Sequence, residues 1–177
     1  MTPIPYKHAL RCQQKRTVLL VGEGPTEWAF LRHIVGLFQD RAGPVAARVE
    51  NAHGGAPEIV IATARKLLRQ REYDTCLILM DTDRPWPKHL PRKFDRTRLE
   101  FIPAKPCLEG LLLRIVAHAG ISVNSSVEQC KRVWYETYVE ARHKTEPSAY
   151  QKPFSKDFLQ TRRTACAELD AILRHIA

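Results

Sequence analysis

The apolar positions of the chain follow two rhythms. From Thr17 to His118, short dense apolar runs alternate with longer stretches whose apolar residues recur every three or four positions, while beyond Ser122 only the second rhythm remains. "TVLLVG" (Thr17 to Gly22) has the pattern of a strand buried on both faces. "EGPTEWAFLRHIVGLFQDR" follows as a helix with Phe30, Leu31, Ile34, Val35 and Phe38 at helical spacing. A weaker strand, "VAARVEN", comes next. "GGAPEIVIATARKLLRQ" then predicts a helix with Pro57 near its first turn and Ile59, Ala62 and Leu67 on its inner side. "DTCLILM" is the strongest strand, and "EFIPA" predicts a fourth. "KPCLEGLLLRIVAHAG" predicts a helix with Pro106 in its first turn and Gly120 at its C-terminal stop.

Strands that alternate with helices pair in parallel through right-handed crossovers, so the fold class is α/β with a mainly parallel four-stranded sheet flanked by helices. The expected organisation is an N-terminal arm (1–16), an α/β core (17–121) and a helical C-terminal extension packed on the core (122–177). That extension reads as two helices, "SSVEQCKRVWYETYVEARHK" and "SKDFLQTRRTACAELDAILRHI", separated by "TEPSAYQKPF". Val127, Cys130, Val133, Trp134 and Tyr138 mark the face that packs on the sheet.

A length of 177 residues suits one domain, and 44% apolar with 27% charged residues is globular composition. Five scattered cysteines without a Cys-x-x-Cys spacing disfavour zinc and a disulfide framework. With no signal-like or membrane-spanning run, a reducing cytoplasm is the expected compartment, with no membrane partner. The net charge of +9 favours a polyanionic partner, DNA or RNA.

The candidate chemistry lies where strands end, because parallel α/β sheets gather ligands at their carboxyl ends. "LLVGEG" puts Glu23 at one such end, and "LILMDTD" puts Asp81 and Asp83 at another. Two residues apart in extended backbone, the aspartates project to one side and can share a hard cation. Mg²⁺ (or Mn²⁺) suits an all-oxygen set. Each acid also has a plainer reading as a turn residue or cap. Glu27 reads equally as a helix cap or an additional ligand. Glu109, opening an apolar helix, is either functional or paired with Lys105 or Arg114. "NAHGGAPEI" offers a phosphate-receiving turn or a simple connection, with His53 the nearest imidazole, whereas His33 reads as structural.

These residues resemble a known superfamily. "LLVGEGPTEWAFL" is similar to the Val-Glu-Gly-x-Thr-Glu opening of TOPRIM domains, and "LILMDTD" to their Asp-x-Asp strand. "IPAKPCLEGLLLRIVAH" resembles the Asn-Pro-Cys-Phe-Glu-x-Trp-Leu-Leu segment of RloB-like proteins, small TOPRIM proteins of bacterial and phage defence systems. The resemblance covers about Thr17 to His118. It implies a Rossmann-like TOPRIM fold and metal-dependent phosphoryl transfer on nucleic acid. Glu23 would be the general acid or base, Asp81 and Asp83 the metal ligands, and Glu109 a family-motif residue. Ala104-Lys105 and Gly110-Leu111 depart from the family pattern.

Directly after Asp83, "RPWPKHLPRKFDRTRL" contains three prolines and predicts an exposed loop. Its Arg84, Lys88, Arg92, Lys93, Arg96 and Arg98 can contact phosphates. Trp86 and Phe94 either stack on bases or anchor the loop to the body. The leading expectation is a nuclease or nuclease component of a phage-defence system. In the absence of a Walker motif, an ATPase partner would supply any nucleotide hydrolysis. The alternatives are a noncatalytic nucleic-acid or partner-binding module and a structured-RNA maturase. A topoisomerase or primase needs more chain than this.

Overall fold

A computed structural model describes residues 15–177. The expected N-terminal arm, apart from Lys15 and Arg16, lies outside the described residues, as does Cys12. In chain order the elements are β1 (Arg16–Gly22), α1 (Pro25–Phe38), β2 (Val45–Asn51), α2 (Pro57–Gln70), β3 (Thr75–Asp81), β4 (Lys93–Phe94), β5 (Thr97–Ala104) and α3 (Leu108–Ile115). Then come α4 (Val127–Thr137), α5 (Lys156–Arg162) and α6 (Ala167–Ile176). Arg16 belongs to β1 rather than to an arm.

The sheet runs β2-β1-β3-β5-β4. Its first four strands are parallel, and β4 is antiparallel to β5. The protein is therefore α/β with five strands rather than the four expected. The fifth is a two-residue strand within the proline-rich loop, where Asp95, at φ 51°, adopts the left-handed conformation of a tight hairpin. The loop hides this strand from a periodicity reading because two residues carry no period.

Strand alternation sorts the core. Val18, Leu20, Leu77, Leu79 and Ile102 face one side with α1, α3 and the C-terminal helices, while Leu19, Val21, Ile78 and Met80 face α2 on the other. The five apolar residues expected on α1 are all buried. On α2 the buried face is Val60, Ile61, Ala64 and Leu68, with Leu67 packed against the same cluster as expected, while Ile59 and Ala62 are exposed. Ile59 is 54% exposed and leans over Gly55.

α3 stops at Ile115, well short of Gly120, and Pro106 precedes its cap rather than lying in its first turn. The final stretch is two helices, not one, broken by a 3₁₀ turn and extended backbone at Cys166. α4 packs chiefly on α3 instead of on the strands, burying Cys130 and Trp134. α6 reaches both β2 and β5, and Glu100 of β5 accepts bonds from Arg174 and His175. Sheet, α1, α3 and the C-terminal helices share one apolar cluster.

Two glycines are required by close approach. A Cβ on Gly22 would stand 2.6 Å from the Trp28 backbone nitrogen, and one on Gly110 would stand 2.6 Å from Pro106 Cδ and 3.2 Å from Cys130 Sγ. Gly110 is thus what lets α3 seat against α4. Gly22→Ala should destabilise the fold by about 1–3 kcal/mol in urea unfolding, because α1 must retreat from the end of β1. An unchanged midpoint would show that the helix is free to shift.

Candidate functional site

β1 and β3 are adjacent, and the chain leaves them in opposite directions, to β2 and to β5. Their carboxyl ends therefore flank a topological switch point, where α/β sheets place ligands. The register sets Gly22 beside Leu79, and the ladder continues as the Glu23 amide donates to the Leu79 carbonyl at 3.1 Å. Glu23 then turns its carboxylate across the gap, and its Oε2 accepts the Asp81 amide at 3.0 Å. One side chain thus ties the two strand ends together.

Asp81 is the last residue of β3, and alternation aims it at the α1 and α3 face. Its Oδ1 is buried with no hydrogen-bond partner among the described residues. Glu27, in the first turn of α1, is buried, and its carboxylate accepts the Gly24 amide at 2.9 Å, so the capping role is real. Glu109, in the first turn of α3, is 4% exposed and accepts a hydrogen bond from the Tyr135 hydroxyl of α4. The pairing weighed for Glu109 with Lys105 or Arg114 is not made: Arg114 pairs with Glu168 at 2.8 Å.

Asp83 differs from expectation. β3 ends at Asp81 and the chain bends through Thr82, whose amide reaches the carbonyls of Ala104 and Pro106 at 3.2 and 3.3 Å. Asp83 is exposed beyond that bend rather than in line with Asp81 on a continuing strand, although its charge still acts on Glu23 and Asp81.

The electrostatics report a crowd of like charges. Burial first, then the charges of Glu27, Glu109, Glu23 and Asp83, push Asp81 up to about 8. Burial likewise raises Glu27 to about 7, with Glu109 and Glu23 adding to the effect. Glu23 is raised by burial and Asp83, against the lowering effect of the Asp81 amide and Arg84. Burial and the charge of Glu109 raise the Tyr135 phenol, keeping it a hydrogen-bond donor. All the acidic donors are oxygens, the chemistry that hard divalent cations select. Among the described residues, no three His, Cys, Asp or Glu side chains are gathered as a ready-made cage. Glu23, Glu27 and Glu109 each hold a donor of the protein, and Asp81 Oδ1 is the oxygen left over.

The loop after β3 is fastened by its aromatics. The Trp86 indole donates to the Asp81 carbonyl at 2.7 Å and packs on Phe101, and the Phe94 ring lies beneath Arg65 and Arg69 of α2. Both rings anchor the loop to the body, while Arg84, Lys88, Arg92, Lys93, Arg96 and Arg98 are exposed. On the far side of Glu23, the Gly54 amide donates to the Glu23 carbonyl at 2.6 Å, with exposed His53 beside it at φ 64°. His33 is bonded to the Phe154 carbonyl at 2.8 Å, a structural role as expected. Tyr135 and Thr82 escaped the sequence reading. Tyr135 reaches Glu109 only through the α3–α4 packing, which leaves no mark in local sequence.

Comparison with protein-family models, with curated proteins and with solved structures returned no match to this chain. No helix among the described residues is long and apolar enough to cross a membrane.

The raised Asp81 carboxyl links stability to pH. In the unfolded chain it loses its proton near 3.8 and in the folded protein near 8. Its contribution to stability is therefore whole below 3.8 and is lost as pH rises through 8. With metal chelated, Asp81→Asn should raise Tm at about pH 8.5 by about 4–8 °C, corresponding to ~2 kcal/mol, and change it little at about pH 5. Equal Tm differences at both pH values, measured by calorimetry, would contradict the crowding of charge.

Proposed function

We propose that the chain carries out metal-dependent phosphoryl transfer on nucleic acid, as a TOPRIM-type nuclease or nuclease component of the RloB-like kind in phage defence. The observation that carries this reading is the partnerless, buried Asp81 Oδ1 among Glu23, Glu27 and Glu109 at the switch point between β1 and β3. Oxygen donors forced together at such a place favour a hard cation over any arrangement of their own. The parallel order β2-β1-β3-β5, with acids at the ends of β1 and β3, also agrees with the TOPRIM resemblance.

Asp81 and Asp83 would hold Mg²⁺, or Mn²⁺, with Glu23 beside them. When bound there, the ion supplies charge neutralisation and orientation of a phosphodiester and assists in activating water. Glu23 is the proton carrier: half-buried and with its proton affinity raised, it can pass a proton to or from an oxygen at the reacting phosphate. Its second bond, from the Asp81 amide, fixes its carboxylate. Glu27 holds the start of α1, and Glu109, fixed by Tyr135, supports the site from the α3 side without contacting substrate. The exposed arginines and lysines of the loop after Asp83 retain the strand through its phosphates. An ATPase partner supplies any nucleotide hydrolysis.

The test is a labelled panel of single- and double-stranded DNA and RNA incubated with Mg²⁺ or Mn²⁺, or with EDTA. Wild type should cut one class only with metal, Asp81→Asn should fall to background, and Glu23→Gln should lose about 10²–10⁴-fold in rate. Strong salt-dependent binding with no cutting by wild type under any metal would replace this reading with the noncatalytic binding module.

A further inference from the structure

The cations of this protein are unevenly neutralised. Arg48, Arg98, Arg114, Arg142, Arg163 and Arg174 each face a carboxylate within ion-pair distance. Arg65 and Arg69 of α2 make no ion pair among the described residues. They stand four residues apart on one helix face, a spacing at which like charges repel. Their guanidinium carbons nevertheless converge on one ring, 5.7 and 5.6 Å from the centre of Phe94. The Nε of Arg65 is buried and has no hydrogen-bond partner among the described residues. A helix surface that keeps two converging cations without an acid between them, and leaves a buried donor unmet, is arranged for an anion from outside.

The two side chains line a cleft of about 390 Å³ between α2 and the proline-rich loop, whose other walls are Glu58, Ile61 and Ala62 of the helix and Pro87, His89 and Pro91 of the loop. Glu58, its only acid, is in the first turn of α2, near the carboxyl end of the sheet. Arg69 is in the last turn, so the cleft follows the helix for ~16 Å at 1.5 Å per residue. Phe94 and Trp86 pin the loop that forms the opposite wall, and Trp86 is itself bonded to the Asp81 carbonyl. The cleft thus begins at the first turn of α2, by the carboxyl edge of the sheet, and leads down the α2 face, on the opposite side of the sheet from the face at which Asp81 is aimed.

We propose that Arg65 and Arg69 form a phosphate-binding track for a nucleic-acid strand along α2, reached from the carboxyl edge of the sheet. This rests on the reading of the chain as a nucleic-acid protein but not on its being a nuclease. The arginines contact successive phosphates of the backbone, and the Phe94 ring beneath them is covered by their guanidinium groups rather than offered to a base. The substrate is therefore held over more than the loop alone.

The experiment measures binding of a short fluorescent single-stranded DNA and of an RNA of the same sequence, in EDTA, over a series of salt concentrations. Arg65→Gln with Arg69→Gln should bind ~10-fold more weakly at about 0.1 M salt and lower the slope of log K against log salt by about 1.4, at about 0.7 per phosphate contact on a single strand. Arg65→Lys with Arg69→Lys, which keeps the charges, should hold the slope. Lys131→Gln with Arg132→Gln, on an exposed part of α4 across the sheet, should also hold it. Circular dichroism establishes that each variant is folded. An unchanged slope in the glutamine pair, or an equal fall in the α4 pair, overturns the proposal. The catalytic reading fails separately. Binding that needs Arg65 and Arg69 without any cutting keeps the track and removes the nuclease, whereas cutting that needs Asp81 with a slope indifferent to these arginines does the reverse.

Discussion

Carboxylates buried side by side repel one another and lose hydration, and a fold can keep them so only if the surrounding structure fixes the atoms that carry them. Here the fixing comes from the pairing of β1 with β3. That pairing places Gly22 against Leu79 and brings Glu23 within reach of the Asp81 amide, while the start of α1 lies so close to the end of β1 that Gly22 has no room for a side chain. Glu27 and Glu109 enter from the first turns of α1 and α3, where helix dipoles favour negative charge. The backbone and phenol donors satisfy three of these acids. Asp81 is left with the crowding and an unmet oxygen, and for that reason the functional reading centres on it.

The rest of the molecule holds this arrangement still. The α2 side of the sheet is a small apolar layer, while the α1 and α3 side carries the larger cluster into which α4, α5 and α6 pack. Trp134, Tyr150 and Phe154 are fully buried there, with Trp134 stacked on Phe154 at 5.8 Å. The C-terminal helices are consequently part of the core that carries the acids. Through Tyr135 they also reach Glu109 directly. The α2 face is left open to the loop after β3, and Arg65 and Arg69 lie on that side.

Much of the parallel sheet and α1 was legible because burial on both faces makes a strand uniformly apolar and burial on one face gives a helix its period, as in "LLVG" and Phe30 to Phe38. Glu23 and Asp81 were legible as strand-end acids, but their being neighbours was not, since strand order is set by crossovers and packing rather than by local pattern. Asp83 was misplaced because an extended continuation was assumed where Thr82 bends to bond Ala104 and Pro106. On α2, Leu67 packs on the core as read, whereas Ile59 covers Gly55 instead and Ala62 is exposed. The break at Cys166, the short β4 and the Glu109–Tyr135 bond are all tertiary in origin. In each, the deciding partner lies far away in sequence or the element is too short to show a period.

If the crowded acids exist to hold a hard cation, binding one must expel protons that the raised carboxyls carry near neutrality. The direct measurement is a calorimetric titration of the protein with Mn²⁺ at about pH 7 in two buffers of different ionisation enthalpy, repeated for Asp81→Asn. The account predicts saturable binding by wild type with proton release, and weaker binding with less release in the variant. Absence of binding by wild type, or identical binding and proton release in the variant, would contradict a cation site at Asp81.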